Sequence, residues 1–124
     1  MLDSKSYKLT RLSRVDDAES QAALGGLLLA GEEVVLALTD FDGDVAFTTR
    51  RILICIATGM TGKKRDFTSI PFADISAFST ETTESKDTVS EICVSTGSFG
   101  VLTFALRTPI PIAQFNELVG GRLL

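Results

Sequence analysis

Residues Ile52-Leu53-Ile54-Cys55-Ile56-Ala57 place apolar side chains on both alternating sets of one segment. A strand with one face in water alternates apolar and polar residues, so this run must be covered on both faces. It is far shorter than the roughly 20 residues that a helix needs to span a bilayer. Two covers are open to it, a short N-terminal helix or another subunit. The N-terminal helix is poorly specified, so the reading favours a subunit, with Ile52, Leu53, Ile54, Cys55 and Ile56 as the candidate oligomer interface.

Around this segment the chain reads as strands and turns. Glu33–Thr39 is β-branched and alternating, and Asp40-Phe41-Asp42-Gly43-Asp44 supplies turn chemistry before a second strand, Val45–Thr49. The apolar run is the third strand, ended by Thr58–Gly62. Lys63-Lys64-Arg65 opens a fourth to about Ile70, where Pro71 marks a corner because it lacks a ladder donor. Ile75–Thr80, Val89–Ser95 and Phe99–Arg107 complete seven strands, with Glu81–Asp87 a polar connection. Such a series predicts a sandwich or barrel. Pro109-Ile110-Pro111 then opens a helix whose Ile112, Phe115, Leu118 and Val119 form an apolar stripe. Gly120-Gly121 is expected to close it in the left-handed conformation. One amphipathic helix after seven strands suits the open end of a barrel.

The N-terminal stretch is read differently. Residues 1–14 mix Lys5, Lys8, Arg11 and Arg14 with few large apolar groups and are expected to form a tail. Asp16, Asp17 and Glu19 suit the first turn of a short helix that Gly25-Gly26 ends. The expected organisation is a tail and short helix over 1–27 and one domain over 28–124.

At 124 residues, 44% hydrophobic and 23% charged, the composition is that of one globular domain. A net charge of -4 argues against nucleic-acid binding by the molecule as a whole. No signal-peptide stretch opens the sequence, so a cytoplasmic protein is expected. Cys55 and Cys93 read as buried free thiols of a reducing compartment. With no histidine and no metal-type cysteine spacing, neither a zinc site nor a cofactor is expected.

The residues Leu28-Leu29-Ala30-Gly31-Glu32, Asp44, Phe47-Thr48-Thr49-Arg50-Arg51-Ile52-Leu53, Gly59-Met60-Thr61-Gly62-Lys63-Lys64 and Ser69-Ile70-Pro71-Phe72, followed by Ile75 and Phe78, resemble the bacterial pleckstrin-homology domain family in this order. The resemblance runs from about Leu28 to the C-terminus. It implies a mainly-β, partly open seven-stranded barrel capped by a C-terminal helix. It also implies a ring-forming homo-oligomer, often a pentamer, of unassigned cellular role.

Little catalytic chemistry is present. There is no histidine base and no serine elbow, and the paired acids sit on turns. The Asp40/Asp42/Asp44 group lacks the later glutamate of a calcium loop, and Gly59–Lys64 is not a phosphate loop. A non-catalytic homo-oligomeric scaffold is therefore the expected function. The alternative is an anion or membrane-headgroup site built from Arg50, Arg51, Lys63, Lys64 and Arg65, which could equally supply ion pairs between subunits.

Overall fold

The computed structural model describes residues 6–15, 24, 26–40, 43–58, 64–82 and 87–121. Eight strands form one sheet: β1 (Ser6–Val15), β2 (Val34–Thr39), β3 (Gly43–Thr48), β4 (Arg51–Thr58), β5 (Lys64–Pro71), β6 (Ile75–Thr82), β7 (Thr88–Thr96) and β8 (Gly100–Pro111). Their order across the sheet is β5-β4-β3-β2-β1-β8-β7-β6. The edge strands β5 and β6 are joined only by a tight turn, Phe72–Asp74. A sheet whose two ends are tied so closely must curl, which gives the partly open barrel.

Seven strands were expected and eight are present among the described residues. The added one is β1, in the segment expected to be a tail. It lies in the middle of the sheet, parallel to β8 through Ser6↔Val101 to Leu12↔Leu106 and antiparallel to β2 through Ser13↔Thr39 to Val15↔Ala37. Leu9 and Leu12 anchor it in the core. They stand three apart because the ladder shifts register between them, at Arg11, whose φ is +58°. That shift removes the two-residue period by which a strand is read. The short helix expected from Asp16, Asp17 and Glu19 falls almost wholly outside the described residues.

The core residues follow from alternation. Leu36, Leu38, Val45, Phe47, Ile52, Ile54, Ile92, Val94, Leu102 and Phe104 all point inward and are essentially inaccessible. The Pro71 corner is where it was expected, and the strand ends at it. At the C-terminus the strand is longer than predicted, because β8 runs through Pro109 to Pro111. The helix α1 (Ile112–Phe115) begins only after Pro111 and continues as a π-helical turn, Asn116–Gly120. Its Phe115 and Val119 are buried in the barrel core, with Ile112 and Leu118 packed against it. Gly121 is right-handed, with φ −66°, so the left-handed ending expected there is not used.

Gly43 shows how tightly β3 and β4 approach. A Cβ at this position would lie 2.6 Å from the backbone oxygen of Cys55. A backbone atom cannot swing aside, so Gly43→Ala must push the strands apart. The expected cost is about 1–3 kcal/mol, read from urea unfolding.

Candidate functional site

The doubly apolar strand is covered from within its own chain. Ile52 and Ile54 face the barrel core. Leu53 faces a second cluster with Leu24, Val34, Ala37 and Ala46, flanked by Val15 and Leu28. Leu53 is 3% exposed and Cys55 2%, and Ile56 is half-buried. Of the residues expected at an oligomer interface, Ile52, Leu53, Ile54 and Cys55 are thus buried within the chain, and Ile56 is partly accessible. The segment before β2, through Leu24 and Leu28, is the cover that the sequence made hard to see.

That segment is held by a buried polar constellation. The turn Leu29–Glu32 needs Gly31 at φ +80°, and it delivers Glu32 against β3 and β4. The Glu32 carboxylate accepts from Arg51 Nε at 2.9 Å, Arg51 Nη2 at 2.9 Å, Thr48 Oγ1 at 2.6 Å and the Leu29 N–H at 2.9 Å. Its side chain is wholly buried, while that of Arg51 is 17% exposed. Burial alone would raise the Glu32 pKa. The hydrogen bonds from Arg51, Thr48 and Leu29, with the guanidinium charge, outweigh it and hold the carboxyl below its ordinary value. Arg51 also donates to Leu27 O at 2.7 Å and to Ser69 Oγ at 2.8 Å. One guanidinium thus fastens the segment before β2 to both β4 and β5.

The basic residues do not converge. Arg51 is spent on Glu32, and Arg50 is exposed beside it. Arg65 lies opposite Ala57, at the far end of β4. Six strand residues separate the two ends, about 20 Å. At its own end, Arg65 donates from Nη1 to Cys55 Sγ at 3.3 Å and lies 3.7 Å from Asp44. Its pKa is raised by that sulfur contact and by the Asp44 charge. The five-residue anion cluster expected from sequence is therefore two separate groups, with Lys63 outside the described residues. Among the described residues, Arg50 and Arg51 thus lie at the opposite end of β4 from Lys64 and Arg65.

Cys55 is buried, Cys93 is half-buried, and both are free thiols. Among the described residues no group of three or more His, Cys, Asp or Glu is placed to hold a metal ion. No helix among them is long and apolar enough to cross a membrane.

The remaining distinctive feature is the pair of sheet edges. β5 begins with Lys64 and Arg65, and its outward residues, Arg65, Phe67, Ser69 and Pro71, are exposed. β6 ends at Glu81–Thr82. Glu81 stands directly across from Glu91 on β7, two like charges on one face. Cross-strand like charges are unfavourable, so a cation beside them would be stabilising. Sequence reasoning named the basic residues as a site but quoted Glu32 and Thr48 only for the resemblance, because their partners are distant in the chain.

A family model described as bacterial PH domain matches residues 4–120. The uncharacterized protein YjqA of Bacillus subtilis (strain 168) is 38% identical over 84 residues, covering 68% of this chain and 67% of that protein. Among solved structures, a duf1696 family protein with a pleckstrin-homology domain from Shewanella loihica PV-4 superimposes with a TM-score of 0.74. Its identity is 23%, and 94% of this chain and 100% of that chain are covered. A pleckstrin homology domain from Shewanella amazonensis SB2B matches with a TM-score of 0.62 at 27% identity, covering 90% and 91%. The match of the family model over nearly the whole chain, β1 included, settles the assignment: this chain belongs to the bacterial PH domain family.

Proposed function

We propose that the protein is a non-catalytic scaffold that assembles with copies of itself through its two open sheet edges. The observation that carries this reading is that β5 and β6, consecutive in the chain, leave an edge at each end of the one sheet. Because β1 is parallel to β8 and the other neighbours are antiparallel, β5 and β6 run in the same direction. The β5 edge of one copy would therefore join the β6 edge of the next as a parallel pair with matching faces. The exposed Phe67 of β5 would be covered there.

Such a contact joins two different surfaces, so it propagates until rotation closes a ring. Unprotected edges of this length are otherwise a hazard in solution. Membrane or headgroup binding gains no support from the split basic residues.

Light scattering at micromolar concentration should give a multiple of the single-chain mass. Phe67→Lys, which places a charge on the exposed β5 edge, should weaken assembly at least about tenfold. A single-chain mass for the unaltered protein overturns the reading.

A further inference from the structure

We propose that the outer face of β1 and β8 is a binding site for a phosphate-bearing anion, held by Lys8, Arg11 and Arg107. The site lies at the centre of the sheet, apart from the edges proposed for assembly, and does not depend on them.

Its placement follows from register. Leu9 and Leu12 belong to the barrel core, so Lys8 and Arg11, each beside one of them, point outward, and both are exposed. On β8, Leu102, Phe104 and Leu106 point inward and Arg107 is exposed. Leu12 pairs with Leu106, which sets Arg107 diagonally across from Arg11, on the order of 8 Å between α-carbons. Lys8 stands beside Thr103, about 10 Å or less from Arg11 along β1.

Two independent features mark this face. The first is the backbone. Strict alternation from Leu9 would put position 11 on the core side. The register shift in β1 turns Arg11 outward instead, at φ +58°, a left-handed conformation that glycine adopts freely and that strains a residue with a side chain. A strained bulge therefore presents a guanidinium on the open face.

The second feature is charge. Acidic residues outnumber basic ones by 16 to 12, yet among the described residues Lys8, Arg11 and Arg107 make no ion pair. Of the carboxylates on nearby strands, Glu91 stands opposite Ala105 on β8 and Glu81 on β6. Asp44 is engaged by Thr39 and Arg65, and Asp40 is engaged elsewhere. Three cations this close repel one another, and a polyanion among them removes that repulsion. Guanidinium forks match the oxygens of phosphate, and Thr10, exposed beside Arg11, adds a hydroxyl donor.

Two probes on the unaltered full chain distinguish a soluble phosphate from a lipid headgroup. One is calorimetric titration with inorganic triphosphate at low ionic strength. The other is sedimentation with vesicles of phosphatidylcholine and phosphatidylglycerol in equal parts, against phosphatidylcholine alone. Binding is expected with at least one probe, weakening as salt rises. Arg11→Gly suits the left-handed backbone and removes the cation, so its urea midpoint should not fall while binding weakens at least about tenfold. Lys8→Gln with Arg107→Gln leaves the bulge intact and should weaken binding by as much. Arg50→Gln with Lys64→Gln, at the other basic groups, should leave it unchanged. If neither probe binds, or if both site variants bind within about twofold of the unaltered chain, the proposal is overturned.

Discussion

Arg51→Met is expected to lower the unfolding free energy by about 3–5 kcal/mol at neutral pH, the largest single-site loss outside the apolar core. Most of that cost comes from what remains behind. Glu32 would keep its buried position with its charge unmatched and only Thr48 and the Leu29 N–H as donors. Leu27 O and Ser69 Oγ would each lose a donor as well. Glu32→Gln should cost less, about 1–2 kcal/mol, because Arg51 is partly exposed and can turn to water.

The pH dependence separates the two effects. In the unaltered chain the folded-state pKa of Glu32 lies below its unfolded value of 4.5. Its stabilisation is therefore complete above the unfolded value and is lost as pH falls through the folded one. In Arg51→Met the sign reverses, since burial dominates and the folded pKa rises above the unfolded value. The deficit of that variant should then shrink as acid protonates Glu32. Urea unfolding across the acid range reads this directly. A deficit that stays constant with pH would show that Arg51 acts by packing alone.

The parts of the molecule that the sequence disclosed are those with short-range signals. Alternation in Leu36–Leu38, Val45–Phe47 and Leu102–Leu106 announced strands whose inward residues are now seen in one core. Pro71 announced its corner, and the spacing of Phe115 and Val119 announced a buried stripe. The bulge at Arg11 hid β1, because it sets Leu9 and Leu12 three residues apart, off the strand period, and the segment reads as a tail. The cover of Leu53 was hidden for another reason. Leu24 and Leu28 contact it through folding, and nothing local in either segment records the meeting. Glu32 and Arg51 are 19 residues apart, so each reads alone as an ordinary surface charge. The basic residues misled in the opposite direction: neighbours in the pattern were sent to opposite ends of β4.

Phe47→Ala and Phe104→Ala should each cost about 3–5 kcal/mol, and the two should not add. Phe47 belongs to β3 and Phe104 to β8, so the pair spans the barrel from one half-sheet to the other. Both are fully buried, with ring centroids 6.0 Å apart and planes at 82°, an edge-to-face contact. Such a contact contributes about 0.5–1.5 kcal/mol beyond area, which is the coupling expected from the double-mutant cycle. Phe47→Leu keeps most of the volume and should cost about 1.5 kcal/mol or less.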